Sequence, residues 1–534
     1  MTSTDLLHQL ISASAHRVPS RPALTYQKLT LDYAHLQGQV AGFASGLLQL
    51  GLARQERVGI YLEKCIETVV VSFGAAAAGA VFVPVNPLLK PDQVGYILRD
   101  CSVRVLVTSR QRLPLLAETL SQCHDLRYVV VVDEGDESIS LRGIELLTWD
   151  TLMAAPPCAG HRVIDTDVVS ILYTSGSTGR PKGVVLSHRN MVAGAKSVAS
   201  YLENHEEDTL LAALPLSFDA GFSQLTTAFS VGARVVLINY LMPRDVLNAV
   251  VREKVTGLTA VPPLWIQLSQ LKWPEQVRDH LRYFANTGGR MPLETLKALR
   301  AALPRSKPFL MYGLTEAFRS TYLPPSEVDR RPDSIGKAIP NAEILVLRED
   351  GSPCAPNEPG ELVHRGALVG MGYWNDPEKT AERYKPLPVG VGGREAGLVL
   401  AEMAVFSGDN VRMDEEGFLY FIGRRDEMIK TSGYRISPTE IEEVLYGTQL
   451  VGEVAAFGVP HPTLGHGIIV IATPRPGEAL SAEALQTACR QRLPIYMLPA
   501  KIDIRSGPLP RNPNGKIDRK LLSADFQTLF EPAA

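Results

Sequence analysis

The chain has 534 residues, 45% hydrophobic and 21% charged, with a formal net charge of −3. That length exceeds one ordinary core and predicts at least two domains. The composition excludes a disordered or fibrous chain, and the near-neutral charge gives no ground for nucleic acid as a partner. The N-terminal MTSTDLLHQLISASAHRVPSRPAL lacks a basic n-region and a long apolar core, so no signal peptide is read there. Short β-branched runs follow at VGIYL (58–62), VRVLVTS (103–109), VVSILYTS (168–175), ARVVLI (233–238) and LRYFANTG (281–288). Between them DVLNAVVREK (245–254) and LETLKALRAAL (293–303) carry apolar residues at helical spacing. This alternation predicts an α/β fold with largely parallel, buried sheets. The run VVVSFGAAAAGAVFVPV (69–85) falls just short of a bilayer span and reads as a buried strand–helix segment, with no transmembrane segment expected. From about residue 340, AEILVLREDGSP and GFLYFIGRRDE put turn chemistry between strand-like runs, predicting a small β subdomain. Ser437, Pro438 and Glu440 then predict a capping box opening a new helix. The domains expected are 1–425 and a small α+β unit over 426–534, divided at Asp426. Cys65, Cys101, Cys123, Cys158, Cys354 and Cys489 stand singly with no C-x-x-C pair, which fits reduced thiols and a cytoplasmic protein.

The stretch TSGSTGRPKG carries the most chemistry. Thr174, Ser175, Gly176, Ser177, Thr178 and Gly179 follow a strand, so backbone N–H groups and hydroxyls can converge on an anion, and Lys182 adds a point charge for a polyphosphate. The Walker spacing does not fit, because Arg180 and Pro181 separate Gly179 from Lys182. A flexible surface loop is the plain alternative.

TSGSTGRPKGV resembles the phosphate loop of the adenylate-forming superfamily: acyl-CoA synthetases, the adenylation domains of nonribosomal peptide synthetases, and firefly-type luciferases. MYGLTEA (311–317), FSGDNVRMDEEGFLYFIGRRDEMIKTSGYRI (406–436) and PRNPNGKIDRK (510–520) are similar to its other blocks and come in the same order. SFDAGFSQLTTAF, PFLMYGLTEAFRSTYLPP and RRPDSIGKAIPNAE resemble one branch, the AMP-forming acyl-CoA ligases associated with exosortase A and exopolysaccharide gene clusters. The resemblance implies a large N-terminal domain and a small mobile C-terminal domain. It also implies two reactions: a carboxylic acid attacks the α-phosphorus of ATP, and a thiol then displaces AMP. Lys516 would be the catalytic lysine bridging the carboxylate and the α-phosphate. Glu316 would hold Mg²⁺ and Thr315 would donate to the α-phosphate. Tyr312 would lie against the adenine with Gly313 beside it, and Gly288 and Gly289 would form a narrow slot beside the nucleotide. Asp409 would accept both ribose hydroxyls and Arg424 would contact the ribose and phosphate side. Asp426 matches the hinge, and Gly433 would line the pantetheine tunnel.

Two questions stay open at this stage. Phe218 stands where many acyl-CoA synthetases have histidine, and Phe218–Asp219 resembles amino-acid-adenylating domains, in which the Asp pairs with the substrate's ammonium group. Alternatively, Asp219 caps a helix beginning near Gly221. The thiol belongs either to CoA or to the phosphopantetheine of an acyl or peptidyl carrier protein. The small-molecule acid is fatty, aromatic or amino. Luciferase-type oxidation and a non-catalytic nucleotide-binding homologue are the other readings.

Overall fold

The computed structural model describes residues 4–135, 141–174, 181–395, 397, 399–424, 427–431, 434–513 and 515–530. Two α/β sheets form the large lobe. One has seven strands, in which Arg57–Tyr61 lies between the parallel neighbours Val81–Pro84 and Val103–Thr108. It ends at the antiparallel pair Val168–Thr174 and Lys182–Ser187. The other has nine strands, and its centre is parallel: Arg234–Leu237, Thr209–Ala212, Gly257–Ala260, Tyr283–Asn286 and Lys307–Tyr312 lie side by side. The β-branched runs sit in these strands, covered by helices on their faces, as parallel sheets require.

The main apolar core lies in the helical layer between the sheets. Helix Ile66–Ala78 is apolar on almost every side and buried along nearly its whole length, as a helix covered on all faces must be. Gly74 lets Phe43 of helix Tyr33–Gln49 approach; a methyl placed there would sit 2.7 Å from the Phe43 ring. Gly79 ends the helix at φ +84°, the left-handed position glycine takes without strain. The run 69–85 is therefore this helix followed by strand Val81–Pro84. Among the described residues no helix is long and apolar enough to cross a membrane.

A five-stranded, chiefly antiparallel sheet carries Ala342–Leu347, Gly360–Gly366 and the long strand Met403–Met413, paired with Leu419–Arg424. The small lobe has its own sheet, built around Val451–His461 and Gly465–Pro474, with its own apolar clusters. Helix Pro438–Tyr446 begins where expected, but the capping box is not made: the Ser437 hydroxyl pairs with Thr439 Oγ1 at 2.7 Å, leaving only the backbone bond from Glu440 N to Ser437 O. Asp426 lies outside the described residues.

Candidate active site

The site gathers at the carboxyl ends of three parallel strands of the nine-stranded sheet, where open α/β folds place ligands. The loop after Thr209–Ala212 leads to Phe218 and Asp219. Thr287, Gly288 and Gly289 follow Tyr283–Asn286, and Tyr312 to Glu316 close Lys307–Tyr312. Gly288 has φ +75°; a methyl on it would lie 3.2 Å from Val261 Cγ1, 3.5 Å from Lys516 Cε and 3.9 Å from the Phe218 ring. Gly289 O accepts from Asn286 Nδ2 at 2.7 Å. The glycine slot, Phe218 and the C-terminal lysine thus meet at one point.

Lys516 comes from the small lobe. Gly515 takes φ +79°, Asn512 N donates to Lys516 O at 2.8 Å, and Lys516 N donates to Asn512 Oδ1 at 3.1 Å. Arg511 Nη1 donates to Gly515 O at 3.0 Å. This closed turn fixes the lysine at its tip. Asn86 of the large lobe, itself buried, donates from Nδ2 to Pro513 O at 2.7 Å. Glu443 accepts from Leu293 N at 3.0 Å and lies 4.0 Å from Arg290. The lysine keeps contact with solvent although protein surrounds it, so it stands in an open cleft. Burial, and then Arg424, lower its pKa against the opposing pull of Asp219, Glu427 and Asp409.

On the far wall, Tyr312 OH donates to Asp409 Oδ2 at 2.5 Å and Arg424 Nε to Asp409 Oδ1 at 3.2 Å. Burial raises the Asp409 pKa, with Arg424 and the Tyr312 bond working the other way. Gly313 faces Arg319, whose Cα a methyl would approach to 3.2 Å. Thr315 is buried and opens the short 3₁₀ turn Thr315–Ala317. Glu316 Oε1 accepts from Tyr373 OH at 2.6 Å, and Lys182 Nζ lies 5.4 Å from the centre of the Tyr373 ring. Lys182 and Thr174 are direct partners across the strand pair that flanks the phosphate loop. Ser175, Gly176, Ser177, Thr178, Gly179 and Gly433 lie outside the described residues.

Asp219 does not cap a helix starting near Gly221. The helix runs Asp219–Val231 with Phe218 at the N-cap and no side-chain cap bond. Gly221 sits where the chain crosses Pro215 O: a methyl there would overlap that oxygen at 1.8 Å. Asp219 is 3% exposed, its Oδ1 has no hydrogen-bond partner, and burial raises its pKa against Arg319 and Lys516. Lys64 Nζ anchors the preceding loop by donating to Ala212 O and Ala213 O, each at 2.9 Å. Its own pKa is lowered by burial to about 7.

Nothing in the motifs singles out Lys64, Asn86, Arg319 or Tyr373. Only Arg319 leaves a trace in the sequence, as a cation inside the apolar EAFRSTYL stretch.

A single half-buried carboxylate with one oxygen fixed by a phenol suits Mg²⁺, which keeps waters and arrives with substrate phosphates. Among the described residues no three His, Cys, Asp or Glu side chains cluster to cage an ion unaided.

Residues 11–374 match the family described as AMP-binding enzyme, and residues 440–516 match the AMP-binding enzyme C-terminal domain. The L-proline--[L-prolyl-carrier protein] ligase of Pseudomonas fluorescens is 30% identical, over 98% of this chain and 99% of that protein. The long-chain-fatty-acid--CoA ligase of Escherichia coli O157:H7 is 29% identical, over 97% and 94%. The anthranilate CoA ligase AuaEII, solved with anthranoyl-AMP, shares the fold at a TM-score of 0.86 and 24% identity, over 97% of each chain. o-Succinylbenzoate CoA synthetase of Bacillus subtilis, with its acyl-adenylate, superposes at 0.80 with 26% identity, over 98% of each chain. With both halves matched in order, the chain belongs to the adenylate-forming AMP-binding enzymes and is an AMP-forming ligase.

Proposed function

We propose that Lys516 meets the acid and ATP in the cleft between the lobes and there drives formation of an acyl-adenylate, which a thiol then converts to a thioester. The observation that carries this is the convergence of Lys516, Gly288 and Phe218 on one point, with Asp409 and Arg424 alongside. The first step joins two anions: a carboxylate oxygen attacks the α-phosphorus as the bond to pyrophosphate breaks. Its barrier falls when fixed positive charge faces the phosphoryl oxygens. The Lys516 ammonium supplies that charge, Thr315 donates a hydrogen bond, and Lys182 with the Thr174–Gly179 loop receives the outer phosphates. Mg²⁺, held by Glu316, neutralises phosphate charge when bound. Asp409 receives the ribose hydroxyls beside Tyr312 and Arg424. The small lobe, over 426–534, then turns about Asp426 so that Lys516 leaves and the thiol enters past Gly433.

Asp219 favours an acid bearing an amine. A desolvated carboxylate with an unpartnered oxygen is costly, and an ammonium group would satisfy it. The prolyl-carrier-protein ligase among the relatives supports this reading. CoA is the acceptor thiol; a carrier protein's phosphopantetheine presents the same arm and is the second reading, on the same likeness. The test is exchange of labelled pyrophosphate into ATP over a panel of acids. Lys516→Ala should lose exchange by several orders of magnitude at unchanged Tm, and exchange at the original rate in a folded variant would remove the lysine from the chemistry.

A further inference from the structure

Arg319 is a buried cation that the site described so far does not use. It is 3% exposed. Its Nη1 donates to Thr287 Oγ1 at 3.3 Å, and among the described residues that is the one side-chain hydrogen bond of a five-donor fork and its Nε finds no acceptor. It lies close enough to Asp219 to stabilise that carboxylate, yet no ion pair joins the two. A guanidinium left so in the interior is costly unless a counter-charge reaches it.

The chain holds Arg319 there deliberately. Phe318 adopts φ +57° and ψ −45° and Arg319 N donates to Ala317 O at 2.6 Å, a tight three-residue turn rarely taken by a non-glycine residue. Backbone strain of this kind persists only where surrounding packing enforces it. Here the Phe318 ring is fully buried against Gly194, where a methyl would overlap it at 2.4 Å.

Arg319 borders a cavity of about 20 Å³, room for roughly one water. Ala220, Ser223, Gln224 and Thr227 line it from one face of helix Asp219–Val231. Gln224 Oε1 and Thr227 Oγ1 are buried without partners, as are Asp219 Oδ1 and Arg319 Nε. Buried polar groups are nearly always satisfied, so these four atoms, three on this helix and one on Arg319, mark a place where something polar binds.

We propose that Arg319 forms a subsite for a carboxylate on the tail of the acid, so that the preferred substrate is a short α-amino acid with an acidic side chain. This rests on the adenylation reading and on the contact of Asp219 with an amine. The α-carboxylate is activated at Lys516, the ammonium group faces Asp219, and the side-chain carboxylate ends on Arg319.

The experiment is pyrophosphate exchange by the full-length chain, with Mg²⁺ and ATP, over aspartate, glutamate, asparagine, glutamine, alanine, proline, succinate, glutarate and octanoate. Aspartate or glutamate should lead by kcat/KM, by about 100-fold over its own amide, the effect of removing one partner of a buried charge pair. Arg319→Met should collapse that ratio to near one, and Arg319→Lys should keep part of it. Equal use of alanine and aspartate would overturn the Arg319 subsite and leave the amine contact standing. Succinate or glutarate matching the amino acids would support the subsite and overturn the amine contact. Octanoate leading, or no exchange with any acid, would overturn both. If Arg319→Met does not fold, the wild-type ratio of acid to amide still decides.

Discussion

The contact between Asn86 and the Lys516 turn allows a test of how the lobes divide the two reactions. In Asn86→Asp the side chain keeps its shape, and Oδ1 can still accept from Leu88 N, as Asn86 does at 2.9 Å. What is lost is the donor to Pro513 O at 2.7 Å, replaced by an oxygen facing an oxygen. A neutral hydrogen bond contributes about 1 kcal/mol net, and leaving a buried acceptor unsatisfied raises the cost to about 1–3 kcal/mol. Since 1.4 kcal/mol is a factor of ten, the pose with Lys516 in the cleft loses roughly 5- to 150-fold in equilibrium constant. Another contact between the lobes, Glu443 to Leu293 N and Arg290, is separate enough that Glu443→Gln should add its own smaller loss. The assay compares the half-reactions in one preparation: pyrophosphate exchange for adenylation, and thioester formation from preformed acyl-adenylate for the second step. Exchange should fall within that range while the thiol step holds steady or quickens. An equal fall in both, or a matching drop in Tm, would refute the latch, because a bond that merely stabilises the fold has no reason to discriminate between them.

The remaining predictions concern protons and selectivity. On the proposed mechanism adenylation needs Lys516 charged, and burial followed by Arg424 holds its pKa below the ordinary lysine value. Exchange should therefore decline as pH rises through that lowered pKa, and Lys516→Arg should flatten this limb even though the rate is reduced; an unaltered alkaline limb in the arginine variant would place the titration elsewhere. Asp219→Ala should cut exchange with amino acids by about 100-fold while costing their desamino analogues far less; an equal loss for both would return Asp219 to a structural role. His188 and His364 are both pushed by burial down to about 3, so as pH falls below 6.5 the unfolded chain takes up protons that the folded chain refuses. Each histidine should then cost about 1.4 kcal/mol per pH unit until the folded pKa is reached. Tm measured from pH 7 to 4 should fall accordingly, and His364→Asn should make that slope shallower.

The parallel strands were legible because sheets buried on both faces demand β-branched runs, and each such run quoted from the sequence overlaps an observed strand. The phosphate, lysine and aspartate blocks were placed by their resemblance to one family, and residues 11–374 and 440–516 match that family's two domains. Contacts between residues far apart in the chain left no comparable signal. Asn86 reaches Pro513 across more than 400 residues, and one asparagine in a loop looks like any other turn residue. Ser437 failed as a cap for the converse reason: local pattern names the helix start correctly, but Thr439 two residues on takes the hydroxyl. The sequence allows Asp219 either to face the acid or to cap a helix near Gly221; the helix already includes Asp219, with Phe218 at its N-cap, a start that no periodicity records.

The Phe318 turn joins the residues proposed to meet the nucleotide to the arginine proposed to meet the acid. Thr315 and Glu316 stand just before it and Arg319 just after. Gly370 N donates to Glu316 O at 2.8 Å and Tyr373 OH to its carboxylate, so the front of the turn is held by one segment of the large lobe. Behind it, Ser320 N donates to Tyr312 O at 3.2 Å, and Ser320 Oγ pairs with buried His364 at 2.9 Å. A displacement at Phe318 therefore cannot move Arg319 without also disturbing Glu316. Substituting Gly194 by alanine would force that displacement, since the added methyl overlaps the ring at 2.4 Å. Gly194→Ala should accordingly change KM for ATP and for the acid together, although residue 194 belongs to neither binding surface. A change confined to one substrate would mean that the two halves of the turn yield independently.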